Sequence, residues 1–248
     1  MVALPAGRRI VESDEEPPHG SGYPRIRRTG LKSLPTHCRN FPPSNPSPGD
    51  PTNAYEAAAS RQSIRAYLDK PVPGDVIRKV LTAAGRAASG GNLQPWCIDV
   101  VQGEPMNQLK NIMKTRVIEA PNGDEVTDYS IYPADLWSPY RERRYQVGED
   151  MYKVLNVARE DKAGRLGWFA RNFQFFGAPM ALFCAVDRRM DRPQWSDLGM
   201  YLQTVMMMLR AEGLDSCAQE CWARYPQTIT KFLGTPSERM LFTGMAIG

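Results

Sequence analysis

From residue 53 onward the sequence predicts a layered domain of the α/β or α+β class. Apolar residues recur at helical spacing in several windows. Short apolar runs of strand length, bounded by Gly, Pro or Asp, lie between them. The two kinds of segment interleave without an internal repeat. In chain order, Ala54 to Arg61 reads as a helix rich in Ala and Glu, capped by Thr52 or Asn53. Val76, Ile77, Val80, Leu81 and Ala84 form the stripe of an amphipathic helix. Cys97 to Val101 is a short strand and Pro105 to Val117 a helix. Residues 118–147 are irregular and aromatic, and helices fill 148–161 and 164–175. Met180 to Val186 is a buried strand, and Pro193 to Glu212 a long helix with Leu198, Tyr201, Leu202, Val205, Met206 and Leu209 on its apolar face. A strand over Leu214–Ala218, a helix over Gln227–Leu233 and a strand over Met240–Ile247 complete the pattern.

Composition narrows the chemistry. The chain has 248 residues, 42% of them hydrophobic, enough for one substantial core. No run approaches the ~18 apolar residues of a membrane span. A net charge of +4, without a basic block interleaved with aromatics, gives no nucleic-acid track. The cysteines are five, an odd number in a chain of this size, and read as reduced thiols of a cytoplasmic protein. Cys217 and Cys221 have no second pair to complete a zinc site, so no metal is expected. The two histidines, His19 and His37, lie in the first fifty residues. The folded part therefore lacks the imidazole that Ser-His-Asp or Cys-His hydrolysis requires, and a cofactor is expected to carry the chemistry.

Residues 1–52 hold ten of the 21 prolines and read as a disordered Pro-rich tail. Arg8, Arg9, Arg25, Arg27 and Arg28 hint at targeting, whereas Glu12, Asp14, Glu15 and Glu16 argue against a transit peptide. A tail without function is the reading adopted.

Neither G-x-G-x-x-G, nor the P-loop motif, nor G-x-S-x-G occurs. Three other segments can bind a ligand. In Arg61-Gln62-Ser63-Ile64-Arg65 an extended backbone would put two guanidiniums and a hydroxyl on one face, a set suited to a phosphate. A solvated basic turn is the alternative. Ala87 to Trp96 contains Ser89-Gly90-Gly91, which permits close backbone approach, and the amides of Asn92 and Gln94, which can read a heteroaromatic ring. An ordinary Gly-rich connection is the alternative. Gln219, Glu220 and Cys221 leave a strand end, where layered α/β folds bind ligands, or simply face solvent.

The order of these segments, followed by Gly177-Ala-Pro, Asp197-Leu-Gly-Met-Tyr-Leu-Gln, Gly213-Leu-Asp-Ser-Cys, Phe232-Leu-Gly and Gly244-Met-Ala-Ile-Gly, resembles the nitroreductase family of flavoproteins. The likeness spans about residues 54–248. The insert and Gln219-Glu220 look closest to nitrobenzoate-reductase-like members. The resemblance implies an α+β fold with a central, mostly antiparallel sheet flanked by helices, and a long core helix. It implies a homodimer with FMN at its interface and NAD(P)H as co-substrate. Arg61, Ser63 and Arg65, with Gln62 in the same segment, would hold the FMN phosphate and ribityl chain. Ser89 and Asn92 would lie against the flavin, and Gln219, Glu220 and Cys221 would pass near its ring. These stretches would converge on one nucleotide. The implied reaction is ping-pong hydride transfer to a nitro-aromatic or quinone-like acceptor, with flavin N5 and no side chain as the reactive centre. Flavin-dependent dehalogenation and a non-catalytic flavin-binding scaffold are the alternatives.

Residues 120–147 are read as a lid in which Tyr129, Tyr140, Arg141 and Arg144 stack an aromatic acceptor and pair with an acidic substituent. A loop packing its own aromatics is the alternative. Family members usually continue past the last strand with an arm that wraps the partner subunit. The sequence stops at Gly248, so the resemblance implies weaker FMN retention and a less stable dimer than in members with the arm.

Overall fold

The computed structural model describes residues 53–248, so the expected Pro-rich tail lies outside the described residues. Strands β1 (Cys97–Gln102), β2 (Met180–Asp187), β3 (Ser216–Gln219) and β4 (Arg239–Ile247) form an antiparallel sheet in the order β1-β2-β4-β3. The helices are α1 (Ala54–Ser60), α2 (Gly74–Ala84), α3 (Glu104–Glu119), α4 (Tyr140–Val154), α5 (Lys162–Ala170), α6 (Arg192–Ala211) and α7 (Pro226–Leu233). The α+β class, the antiparallel sheet and the long core helix expected from the family resemblance are all present.

The central strand β2 is buried on both faces, as its uninterrupted apolar run requires. Met180, Leu182, Cys184 and Val186 face one core layer with α2 and α6. Ala181 and Phe183 face the other, built with α3, α7 and the aromatic segment before β2. Beside β2, β4 changes phase. Cys184 pairs with Thr243 and Ala185 with Leu241, which leaves Phe242 as the extra residue of a β-bulge. The Tyr129 hydroxyl donates to the Phe242 carbonyl, and the Tyr129 ring packs against Trp195 and Phe242.

Helix ends follow local chemistry. Asn53, not Thr52, caps α1: its side chain accepts from Glu56 N–H at 3.0 Å, and Glu56 accepts from Asn53 N–H at 3.1 Å. Asp191 and Gln194 form the same box at the start of α6.

Three segments depart from the sequence reading. Helix α4 starts at Tyr140, inside the stretch read as irregular, and stops at Val154 rather than 161. It buries no residue, so it has no apolar stripe to reveal it. Side-chain pairs hold it instead: Arg165 of α5 grips Glu149 at 2.7 and 3.1 Å, and Gln146 donates to Asp150 at 2.8 Å. The helix expected at 164–175 breaks after Ala170 into a 3-10 segment, Arg171–Gly177. There Phe175 and Phe176 take φ of +51° and +54°, a conformation costly for aromatic residues. Both rings are thereby turned into the core, where Phe175 stacks on Trp222 at 4.6 Å. The strand expected at 214–218 is shifted to 216–219, because Gly213 at φ +74° still belongs to the turn leaving α6.

Candidate functional site

The segment after α1 runs extended along the start of β3. Ser63 makes a parallel bridge to Ser216, and Ile64 N–H donates to the Ser216 carbonyl at 3.2 Å. The period of two then operates as expected. Ser63 and Arg65 lie beside Cys217, and Arg61 acts on it by charge: burial pushes that thiol's pKa up, and Arg65, Ser63 and Arg61 draw it partly back. Gln62 is exposed. Among the described residues, neither Arg61 nor Arg65 has a carboxylate within ion-pair distance.

Ser63 and Arg65 open onto a cleft of about 660 Å³ whose far wall is Val147, Asp150 and Met151 of α4 and Trp168 of α5. A second cleft, of about 520 Å³, lies between the same two helices and the exit of β3. Arg144, Phe169, Asn172, Glu220 and Arg224 line it. The α4–α5 hairpin walls both clefts, so they make a trough in two parts, one at the arginine segment and one at the end of β3.

At that end the three residues read from sequence have different tasks. The Gln219 side chain is buried and points inward: it donates to the Asn172 carbonyl at 2.8 Å and accepts from Trp222 Nε1 at 3.3 Å. It fixes the strand exit rather than presenting an amide to the trough. Glu220 lines the trough with no cationic partner among the described residues within ion-pair distance; it is solvent-exposed, and partial desolvation raises its pKa. The Cys221 thiol is held protonated, its pKa pushed far up by burial and then by Cys217.

The raised Glu220 pKa has a measurable consequence. Its contribution to stability is fully present below the unfolded carboxylate pKa and is lost as pH rises through the higher folded value. Glu220→Gln should therefore melt progressively higher than the parent as pH is raised from about 4 toward neutrality. Melting curves across that range check this, and a difference between the two proteins that does not change with pH would refute it.

The glycine bend is built as its sequence demanded but sits elsewhere. Gly90 N–H donates to both carboxylate oxygens of buried Asp197 at 3.2 Å. Ser89 Oγ accepts from Gln94 N–H at 3.1 Å, leaving its own proton free to donate. Gly91 and Asn92 both have φ of +56°, where glycine and asparagine are the tolerated residues. Asn92 and Gln94 are exposed.

The bend docks near the N-terminal end of α6 through Asp197, whereas Ser60, just before the arginine segment, is held by Arg210 Nε near the other end at 3.1 Å. Thirteen residues of helix separate these anchors, about 20 Å at 1.5 Å per residue. Within one chain the two stretches are thus tied toward opposite ends of the same helix.

Of the four lid residues, Arg144 lines the trough. Tyr129 is committed to the β4 bulge. Tyr140 is exposed against Trp137, and Arg141 pairs with Glu142 on the surface. Tyr132, one of the aromatics of the lid stretch, and Phe169 and Asn172, which lie outside it, line the same cleft. Tyr132 and Phe169 carried only an aromatic signal. Asn172 carried none, since its place depends on the turn after α5.

Antiparallel β1-β2-β4-β3 order, a long core helix and a trough between an arginine segment and a helical hairpin define the architecture of this chain. It belongs to the nitroreductase family, whose model matches residues 58–248. It is similar to a 4-nitrobenzoate reductase of Pseudomonas putida, 34% identical over 79% of this chain and 86% of that protein. Among solved structures it is similar to the FMN and NADPH-dependent nitroreductase NfnB of Sphigopyxis sp. strain HMH, with a TM-score of 0.76 and 45% identity over 79% of this chain and 87% of that one. The FMN-dependent NfnB of Mycobacterium smegmatis, determined with NADPH, matches with a TM-score of 0.74 and 28% identity over 79% and 86%. Among the described residues no helix is long and apolar enough to cross a membrane.

Proposed function

We propose that this chain is an FMN-dependent oxidoreductase that passes reducing equivalents from NAD(P)H to a nitro-aromatic acceptor, working as a homodimer. The observation that carries the reading is the arginine segment: Ser63 and Arg65 line one edge of the trough, Arg61 lies two residues before Ser63 in the same extended stretch, and no acidic side chain of the described residues is within ion-pair distance of either arginine. Such a set fits a phosphate monoester, which takes forked donors from arginine and one more from serine. The trough and its aromatic walls fit a flat ring system beyond that phosphate.

FMN, when bound, supplies the redox step. The protein's own residues position and shield it. Arg61, Ser63 and Arg65 hold the phosphate and the near end of the ribityl chain. Gln219 braces the strand exit, so that the backbone of Gln219–Cys221 is fixed beside the ring. The α4–α5 hairpin covers the open side and restricts water. Ser89 and Asn92 come from the second copy. A two-fold axis that brings the N-terminal end of one α6 toward the C-terminal end of the other completes two sites at once, the isologous arrangement expected of a dimer. Acceptor and nicotinamide then use the same space in turn, which is the ping-pong order.

Arg61→Ala or Arg65→Ala should each weaken FMN binding by about tenfold to a hundredfold, the loss of a charge-assisted hydrogen-bond pair. The double variant should hold no FMN at micromolar concentration. Quenching of flavin fluorescence on titration measures this. Parental affinity in the double variant would remove the arginine segment from the site and the proposal with it.

A further inference from the structure

Of the arginines of the lid and the α4–α5 hairpin, three are held by other side chains. Arg141 pairs with Glu142. Arg159 donates to the Tyr145 hydroxyl, and Arg165 grips Glu149. Arg144 differs. Its guanidinium lies 4.2 Å from the centroid of the Tyr132 ring, and no carboxylate among the described residues is within ion-pair distance. A guanidinium drawn to a ring by cation–π attraction is held without spending its N–H groups on an acceptor. Its N–H groups lie in the plane and stay free for a ligand. A salt bridge would have consumed them. Arg144 is thus a preorganised, unspent donor fork at the wall of the trough.

Its surroundings narrow the ligand. Across the same cleft stand Phe169, an aromatic surface, and Arg224. The Arg224 guanidinium is tethered to the Pro121 carbonyl at 2.6 Å, so it adds positive potential without offering a free fork. The acidic group of the cleft, Glu220, belongs to the strand exit on the opposite wall. A flat ligand in the cleft would meet the free guanidinium of Arg144 beside α4, and Glu220 with the tethered Arg224 beyond the end of β3.

We propose that Arg144, aligned by Tyr132, is the specificity residue of this site and selects aromatic acceptors that carry a carboxylate. This rests on the functional reading above and deepens it by naming the substrate class. Arg144 is not asked to take part in the redox step. It orients the acceptor by its anionic end and leaves the nitro group toward the strand exit.

The test compares the FMN-loaded parent with Arg144→Ala, Arg144→Lys and Tyr132→Leu. kcat and KM are measured for 4-nitrobenzoate and nitrobenzene, and calorimetry gives the affinity for benzoate and for benzamide, which do not react. In Arg144→Ala, kcat/KM for 4-nitrobenzoate should fall about tenfold or more, mainly through KM, while that for nitrobenzene stays within about twofold. Benzoate should weaken by a similar factor and benzamide should not. Lysine should restore part of the loss. Tyr132→Leu should reproduce a smaller share of it. Equal losses on both acceptors, or unchanged benzoate binding, would overturn the proposal. So would a rise in KM confined to NADPH, since the anion held by Arg144 would then be a nucleotide phosphate. Flavin absorbance separates this proposal from the reading beneath it. If no variant, nor the parent, takes up FMN but benzoate still binds through Arg144, the functional reading fails and the carboxylate site stands.

Discussion

Asp124→Ala should cost the fold about 3 kcal/mol or more, the scale for stripping one partner from a buried ion pair. The Asp124 side chain is 1% exposed and satisfies four donors. Arg116 Nε and Nη2 reach it at 3.0 and 2.9 Å, and the Thr228 N–H and hydroxyl both reach it at 2.8 Å. Thr228 N–H is one of the unpaired amides of the first turn of α7, so Asp124 acts as a cap borrowed from a distant segment. Alanine would orphan that amide, the hydroxyl and a guanidinium whose side chain is only 33% exposed. The backbone bond from Asp124 N–H to the Arg224 carbonyl, 2.7 Å long, is available to alanine as well, so the loss is that of the carboxylate alone. For a chain of this size the melting temperature should drop by roughly 6–12 °C. A drop below about 2 °C would show that the cluster contributes no more than an exposed pair.

Gly244→Ala should be comparably damaging for a different reason. A Cβ at Gly244 would stand 2.4 Å from Trp222 Cδ1 and 2.9 Å from its Nε1. Trp222 cannot give way. It is fully buried, stacked on Phe175 at 4.6 Å and edge-on to Phe173 and Phe183, both at 5.3 Å. Overpacking of this kind costs about 1–3 kcal/mol or more. The damage should reach the site, because Gly244 pairs with Gln219 in the sheet and Trp222 donates to the Gln219 amide. Weaker FMN binding together with a lower melting temperature is the expected result, read from flavin titration and thermal unfolding of the same protein. Retention of both would mean that the Gln219–Trp222 brace does not position the strand exit.

How much of this was legible in the sequence depended on where the physical signal resides. Helices α2 and α6 and strands β2 and β4 bury continuous apolar faces, and a buried face writes its period into the chain. Helix α4 writes none, because its partners are side-chain heads rather than a core, and so its first half, residues 140–147, reads as loop. The left-handed Phe175 and Phe176 could not be anticipated, since nothing local favours that conformation and the core beyond them imposes it. In the site, the extended arginine segment and the glycine bend were read correctly as local shapes. Their separation along α6 was not, because a one-dimensional pattern does not reveal which segments share an anchor. The inward turn of Gln219 and the use of Tyr129 at a bulge are likewise set by register, which shifts with a single extra residue at Phe242.

The central claim is that one flavin site takes its arginine segment from one copy of the chain and its glycine bend from the other. Mixing two defective proteins tests it most directly: one carries Arg61→Ala with Arg65→Ala, the other Ser89→Ala with Asn92→Ala, and each alone should hold no FMN. After the subunits are exchanged by co-refolding, half of the dimers should be mixed and each mixed dimer should regain one intact site, giving about one bound FMN per four chains. A mixture that binds no more flavin than its two components alone would contradict the account.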